Sequence, residues 1–231
     1  QEITASELLS TATDVVDDIY TQQLNAGIDL IPVNDFSFYD RVLDLCCFLG
    51  ITPERFSQNV KPFFLDEYFR FARGDGDIAA MEMTKWFDTN YHYLVPEIEA
   101  TTNPSFSDQL FAQQILPELD SKKQKFCLIG PVTFLALAKG ADSVDKYSII
   151  EELSKAYTDL LKHIENLGYT NIQIEEPILG SDLSDQDKSF FSSFYSKLSG
   201  NLNPATKTHL VTYFGNIEDN IDLISSASFE S

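Results

Sequence analysis

Short apolar runs rich in β-branched and aromatic residues alternate along this chain with longer stretches of helical periodicity. The apolar runs are Leu30–Asn34, Met81–Trp86, Phe126–Val132, Asn171–Pro177 and His209–Gly215. In two longer stretches, Ser6–Asn25 and Asp145–Leu167, apolar side chains recur every three or four residues, as on one face of a helix. Strands that alternate with helices predict an α/β fold in which helical crossovers join parallel strands.

Two glycines mark where the predicted helices end. Gly27 and Gly168 follow the last periodic residues, and a β-rich segment comes directly after each of them. Glycine adopts at little cost the left-handed backbone conformation that commonly ends a helix. We therefore expect a helix-to-strand junction at both positions.

The spacing of the predicted strands favours part of a barrel. Successive runs begin roughly 40–50 residues apart, so eight such units would need more residues than the 231 present. We predict one domain over residues 1–231, with the architecture of a parallel (β/α)₈ TIM-type barrel that is partial here, with about five strands. An open doubly wound sheet, for which five strands are sufficient, is the alternative. No linker or low-complexity segment divides the chain.

The composition is typical of a soluble globular protein. Hydrophobic residues make up 43% of the chain and charged residues 23%, a balance that argues against disorder. No run of about 18 apolar residues is present, so we expect no membrane span. The first ten residues lack the basic and apolar regions of a signal peptide. These features predict a cytoplasmic protein.

The charge is strongly acidic and unevenly distributed. A formal net charge of −20 disfavours binding to nucleic acid and to anionic membrane surfaces. Residues 1–40 contain eight acidic residues and no Lys or Arg, whereas residues 41–85 contain seven acidic and six basic residues. An anionic ligand would therefore be favoured near the second segment.

The cysteines do not predict a disulfide framework. The chain has three, and Cys46 and Cys47 are adjacent within an apolar stretch. An odd number without regular spacing argues against paired bridges, and we expect both residues to be buried on a helix. The glycine-rich phosphate-binding motifs GxGxxG and GxxxxGK[ST] are absent.

Polar and aromatic residues follow every predicted strand. The segments concerned are 34–40, 85–93, 130–133, 175–177 and 212–216. Functional residues of parallel α/β proteins lie at the carboxyl ends of the strands, which meet at one edge of the sheet. The pattern therefore predicts a ligand cleft at this edge.

Five of these regions carry a family resemblance. They read GIDLIPVNDFSFYDRVLD, MEMTKWFDTNYHYLVPE, LIGPVTFL, QIEEPIL and VTYFG. In this order and at similar spacing, they resemble segments of the cobalamin-independent methionine synthases. The run MTKWFDTNYHY is long and rich in rare residue types, so chance explains it poorly. The resemblance extends over nearly the whole chain.

The resemblance implies a part in methyl transfer. Enzymes of this family have two (β/α)₈ barrels and transfer a methyl group from 5-methyltetrahydropteroyltri-L-glutamate to L-homocysteine, which forms L-methionine. The C-terminal barrel holds a catalytic zinc that binds homocysteine as a thiolate. This chain is similar to the N-terminal barrel, which lacks the metal and helps to hold the polyglutamate tail of the folate. The resemblance thus implies no catalytic residue, metal or cofactor in this chain.

The resemblance also implies that the chain is incomplete. The first barrel strand of the family, with a basic folate-contacting segment, would precede Gln1, and the last barrel strands would follow Ser231. We therefore expect this segment to be inactive alone. Open barrel edges leave backbone groups unpaired, so self-association is expected as well.

Lys85 matches the family lysine that contacts the polyglutamate tail. An ammonium group is a compact charge that suits a flexible carboxylate ligand. The alternative is a structural ion pair with Glu82 or Asp88. With the resemblance taken into account, we predict that Lys85 binds the tail.

Other polar residues are expected to have structural roles. His92, His163 and His209 are the three histidines, and no His-x-Cys pair accompanies them, so a zinc site is not predicted. Glu175 and Glu176 would point to opposite faces of a strand and are interpreted as hydrogen-bonding residues. We expect rim packing rather than pterin stacking from the aromatic residues Trp86, Tyr91, Tyr93 and Tyr213, and tight turns at Gly130-Pro131 and Gly215.

Two further hypotheses remain open. The chain could be a stand-alone paralogue that binds folates or docks on a partner. It could also be a distinct barrel enzyme that uses Asp35, Glu176 and His92 as acid–base groups.

Overall fold

A computed structural model of the chain describes residues 3–58, 64–117, 121–227 and 229. The helices are α1 Ala5–Asn25, α2 Arg41–Phe48, α3 Phe64–Arg73, α4 Asp108–Phe111, α5 Pro131–Leu137, α6 Ile150–Asn166, α7 Asp185–Asn201 and α8 Ile221–Ser225. The strands are β1 Ile31–Val33, β2 Met83–Lys85, β3 His92–Leu94, β4 Glu97–Ile98, β5 Gln124–Ile129, β6 Lys139–Gly140, β7 Asn171–Glu175 and β8 Lys207–Val211. Short 3₁₀ helices lie at Glu54–Phe56, Ser121–Lys123, Lys146–Ile149, Pro177–Gly180 and Glu218–Asn220. None of the described helices is long and apolar enough to cross a membrane.

The described part of the chain is organised around a four-stranded parallel sheet with the order β1-β5-β7-β8. Its strands follow the chain order, each joined to the next by helical crossovers, as in a segment of a (β/α)₈ barrel. Four of the five apolar runs form these strands. The predicted α/β class with a parallel sheet is confirmed.

The remaining apolar run, Met81–Trp86, does not join this sheet, and its assignment as a barrel strand was wrong. Met83–Lys85 pairs antiparallel with His92–Leu94 in a separate two-stranded sheet. Both strands are short and only six residues apart, so a local turn closes the pair at a small entropic cost. A second short pair, β4 with β6, is parallel and was not predicted.

The helix boundaries show why the sequence pattern was informative. Thr4 and Glu7 form a reciprocal capping box at the start of α1, with the Glu7 carboxylate 2.9 Å from the Thr4 amide nitrogen. Gly27 and Gly168 adopt φ values of +81° and +94°, which confirms the two predicted junctions. The stretch predicted as one helix over Asp145–Leu167 begins as a 3₁₀ turn before α6.

The helices cover one face of the sheet and leave the other face more polar. Phe126 and Ile172 are buried on the helix-covered face. On the opposite face the strand register places Cys127, Gln173 and His209 side by side.

Cys46 and Cys47 lie within α2 and are 0% and 2% exposed, as expected.

Candidate functional site

A cavity of about 450 Å³ lies at the carboxyl ends of the sheet strands. The segments after β1 and β8 form two walls, and the turn between β2 and β3 forms a third. Its lining includes Asp35, Arg41, Trp86, Tyr91, Tyr213 and Phe214. The predicted convergence of polar and aromatic residues at this edge is therefore present in the structure.

Arg41, which lines this cavity, forms an ion pair with Glu175. The Arg41 guanidinium donates two hydrogen bonds to the Glu175 carboxylate, at 3.0 and 3.1 Å. Gln173 and Tyr213 donate to the same carboxylate at 3.0 and 3.1 Å. Burial alone would raise the pKa of Glu175, but attraction to Arg41 and these hydrogen bonds together hold it below its ordinary value. The carboxylate is thus ionised and fully engaged, which leaves it no role as a proton acceptor.

Asp35 is an acidic residue of the cavity lining. Burial raises its pKa, while its own backbone amide and Arg41 act in the opposite direction. The preceding residue, Asn34, has a φ of +62°, and its side-chain amide donates to the Cys127 carbonyl oxygen at 2.9 Å. This bond fixes the path of the chain out of β1 and so the position of Asp35.

The turn of the β2–β3 hairpin is fastened to the start of α2. Asp40, 1% exposed, accepts hydrogen bonds from the amides of Leu43 at 3.0 Å and Leu94 at 3.1 Å. Its other carboxylate oxygen accepts from the Tyr91 hydroxyl at 3.0 Å. One carboxylate therefore caps a helix and anchors both a strand and the turn of the hairpin.

Most of the aromatic residues pack as expected. Trp86 is 6% exposed and Tyr93 4%, and their rings meet edge to face at 5.6 Å. Tyr91 is 47% exposed and Phe214 65%, so these two rings present accessible aromatic surface to the cavity. Rim packing explains Trp86 and Tyr93 and leaves Tyr91 and Phe214 available to a ligand.

Lys85 is the last residue of β2 and directly precedes Trp86, which lines the cavity. Its side chain is exposed, and the cavity lining does not include it. Within the described residues, Lys85 forms an ion pair with neither Glu82 nor Asp88. Glu82 pairs with Lys139 instead. A free ammonium group is therefore presented on the outer face of the hairpin.

The histidines are dispersed. His92 is exposed on β3, His163 lies on α6 against the rings of Phe106 and Phe111, and His209 lies on β8 near Asn171. Within 3–58, 64–117 and 121–227, no group of three or more His, Cys, Asp or Glu side chains is arranged to hold a metal ion. The hypothesis that joined Asp35, Glu176 and His92 in one acid–base site is not supported, since Glu176 is buried on the helix-covered face.

Glu176 holds the start of α5. Its carboxylate accepts from the amides of Val132 at 3.0 Å and Thr133 at 2.6 Å, and from the Tyr195 hydroxyl at 2.5 Å. These amides belong to the first turn of α5, where backbone donors have no partner within the helix. The hydrogen-bonding interpretation of the Glu175-Glu176 pair agrees with these contacts. The turn expected at Gly130-Pro131 is the N-terminus of this helix.

Sequence reasoning missed Arg41 and Asp40. Arg41 is the first basic residue of the chain, and that isolation was the one available signal. Asp40 was included only as part of the segment 34–40, because its contacts with Tyr91 and Leu94 span more than 50 residues. Only the folded chain brings these groups together.

A larger groove of about 770 Å³ lies between α2, α3 and α4. Among the residues that the structure describes, the charged side chains of its lining are Glu54, Glu67 and Glu99. Three acidic side chains disfavour an anionic ligand, so the strand-end cavity and its hairpin are the better candidate for a carboxylate-bearing ligand.

By its fold and its cavity, the chain is an α/β protein with a parallel sheet and a cleft at the carboxyl ends of the strands. The family described as "Cobalamin-independent synthase, N-terminal domain" matches residues 1–231. The chain therefore belongs to this family, through its N-terminal domain, and the suspected resemblance is confirmed.

The relatives that the chain matches are longer than the chain itself. The chain is 36% identical over 235 residues to a 5-methyltetrahydropteroyltriglutamate–homocysteine methyltransferase of Salinibacter ruber, with 95% of this chain and 30% of the relative covered. A protein of the same name from Cytophaga hutchinsonii is 41% identical over 231 residues, with 96% and 30% covered. The chain thus spans about 30% of the length of these relatives.

A solved structure agrees on the fold. A B12-independent methionine synthase from Shewanella, in complex with selenomethionine, superposes with a TM-score of 0.60 at 19% identity, with 95% of this chain and 57% of that chain covered. At this level of identity the likeness concerns the fold alone.

Proposed function

We propose that this chain forms part of the N-terminal domain of a methyltransferase that moves a methyl group from 5-methyltetrahydropteroyltri-L-glutamate to L-homocysteine. The main observation behind this proposal is the family match over residues 1–231. Relatives whose names state this reaction support it. Homocysteine and the catalytic zinc would be held by the C-terminal domain of the complete enzyme. This chain then supplies scaffold and part of the folate site, and has no activity alone.

Lys85 is the residue that we propose for the polyglutamate tail. It is exposed, and among the described residues no carboxylate neutralises it. Arg41 is a poorer candidate, because both of its terminal nitrogens already bond to Glu175. A free ammonium on a fastened hairpin can bind a carboxylate without first breaking an ion pair.

The cellular setting follows from the same proposal. The three cysteines are free and buried, as is usual for proteins kept in a reducing compartment. We propose a cytoplasmic location on this basis and on that of the metabolic reaction.

The test is a binding titration with the methyl donor in its triglutamate and monoglutamate forms. Trp86, the single tryptophan, adjoins Lys85 and supplies a fluorescence signal. We expect tighter binding of the triglutamate and a loss of about tenfold in Lys85→Ala, as for one charge-assisted hydrogen bond. Lys162→Ala, at an exposed position on α6, is the matched control and should bind normally.

Two results would count against the proposal. Equal affinity for the two forms, or an unchanged affinity in Lys85→Ala, removes Lys85 from the tail site. In the complete enzyme, the same substitution should raise the Michaelis constant for the triglutamate donor.

The second candidate function is a stand-alone folate-binding module. Such a module would use the same exposed Lys85 and the same strand-end cavity. The mass of the native protein, captured from its source, decides between the two. A mass near 26.1 kDa would indicate the module, and a mass several times larger would indicate the complete enzyme.

A further inference from the structure

The register of the β2–β3 hairpin places a histidine beside Lys85. Lys85 and His92 are direct partners in the antiparallel pair, and both side chains are exposed. Directly opposed residues point to the same face, with their Cβ atoms about 4.5–5.5 Å apart. One surface of the hairpin therefore carries two nitrogen-bearing side chains next to each other.

The imidazole ring of His92 is oriented by its own turn. Its Nδ1 lies 3.0 Å from the Asn90 carbonyl oxygen. A carbonyl oxygen can only accept, so Nδ1 carries the hydrogen and Nε2 is left with a free lone pair. Over the parts of the chain that the structure describes, neither Nε2 of His92 nor Nζ of Lys85 has a hydrogen-bond or ion-pair partner.

The hairpin that carries these groups is held in place. Asp40 bonds to the Leu94 amide and the Tyr91 hydroxyl. The Trp86 amide donates to the Tyr91 carbonyl at 2.8 Å, and the Thr89 hydroxyl donates to the Trp86 carbonyl at 2.6 Å. These hydrogen bonds already order the hairpin in the free protein. A ligand that binds to its exposed face therefore does not have to offset the entropic cost of ordering it.

We propose that His92 is a second binding residue for the glutamate tail and acts beside Lys85, an inference that rests on the proposed function. One carboxylate of the tail pairs with the Lys85 ammonium. A neighbouring carboxylate binds at Nε2 of His92. As it binds, Nε2 takes up a proton from a buffer acid, whose conjugate base stays in solution, and donates that proton to the carboxylate in a charge-assisted hydrogen bond. The ligand class is an oligomer of glutamate that carries several carboxylates on one flexible chain.

The first experiment observes the ring directly. The chain, labelled with ¹⁵N at its three histidines, is titrated with γ-linked triglutamate, the tail without the pterin. We expect the Nε2 resonance of His92 to move toward that of an imidazolium as ligand is added. His163, packed between two phenyl rings, and His209 are internal controls whose signals should stay in place.

The second experiment compares variants by their affinity for the same triglutamate. His92→Ala should weaken binding by about tenfold, the loss of one hydrogen bond to a charged group. His92→Gln keeps a donor nitrogen near the position of Nε2 and should recover part of this loss. Both variants should fold normally, because His92 is exposed, and Trp86 fluorescence provides the check.

The outcomes separate the two proposals. If Lys85→Ala weakens binding and His92→Ala does not, the inference on His92 is overturned and the proposed tail site stands. If Lys85→Ala has no effect, the tail site itself is overturned, and the role of His92 with it. Weakening in both variants, with partial recovery in His92→Gln, supports both.

Discussion

Asp44 and Glu176 are both buried carboxylates, but they differ in the donors that satisfy them. Asp44 accepts from two hydroxyl groups, those of Ser37 and Tyr68. Glu176 accepts from two backbone amides and the Tyr195 hydroxyl. A hydroxyl can turn and accept a hydrogen bond, whereas an amide can only donate. The two positions should therefore respond differently to an amide side chain.

We predict that Asp44→Asn is tolerated and that Glu176→Gln is not. In Asp44→Asn the hydroxyls can reorient to keep both hydrogen bonds, so the free energy of unfolding should change by less than about 1 kcal/mol. In Glu176→Gln one amide of α5 faces an NH₂ group and loses its acceptor, which costs about 1–3 kcal/mol. Urea denaturation at pH 7, followed by the fluorescence of the buried Trp86, measures both. Equal losses would contradict the argument from the donors.

The pH dependence of stability offers a second prediction for Asp44. Burial raises its pKa from 3.8 to about 7, although the hydrogen bonds from Ser37 and Tyr68 act to lower it. Between pH 3.8 and 7 the folded state keeps a proton on Asp44 that the unfolded state has released. The contribution of Asp44 to the free energy of unfolding therefore falls as the pH rises toward 7. Relative to Asp44→Asn, the native chain should lose roughly 2 kcal/mol in total between pH 5 and 7, since the slope falls below 1.4 kcal/mol per pH unit near the folded pKa. Unfolding curves for both proteins at pH 5, 6 and 7 measure this difference, and a constant difference would refute it.

At the scale of elements, the start of α5 depends on a glycine. A Cβ atom at Gly130 would lie 2.2 Å from the Glu176 side chain. Real Cβ contacts are essentially never that short, and any shift of the carboxylate would disturb its hydrogen bonds with Val132, Thr133 and Tyr195. The helix N-terminus and the end of β7 can therefore approach only where residue 130 has no side chain.

We predict that Gly130→Ala destabilises the chain by more than about 2 kcal/mol, comparable to overpacking a core. Gly200→Ala is the matched control, because a Cβ there meets nothing within 4 Å. Since Gly200 lies within α7, alanine should stabilise the helix by about 0.5–1 kcal/mol. Thermal unfolding of both variants tests the contrast, and a stable Gly130→Ala protein would show that Glu176 can move.

The β2–β3 hairpin shows where reading elements from the sequence failed. Its first strand has the composition of a buried barrel strand, and composition contains no information about which partner a strand pairs with. The turn is fixed by Thr89, Trp86 and Tyr91, and its anchor Asp40 lies far away in sequence. The Lys85 motif was identified from residue types, but the exposed face it shares with His92 depends on this pairing.

At the scale of the whole molecule, the outer strands of the four-stranded sheet are β1 and β8. In the described part of the chain neither has a second strand partner, and strands of this kind tend to pair with other chains. We predict concentration-dependent self-association, which sedimentation velocity from micromolar to about 100 µM protein would detect. A monodisperse monomer throughout this range would indicate that both edges are protected.

The sequence by itself determined the local and one-dimensional properties of this protein. Helical periodicity, the glycines at positions 27 and 168 and four apolar runs defined most of the main elements, because these signals act within a few residues. Motif order identified the family. What only the tertiary structure decided is contact between distant segments: Arg41 with Glu175, Asp40 with the hairpin, and Glu176 with α5. Such contacts arise from strand register and helix packing, which the type of a residue does not encode.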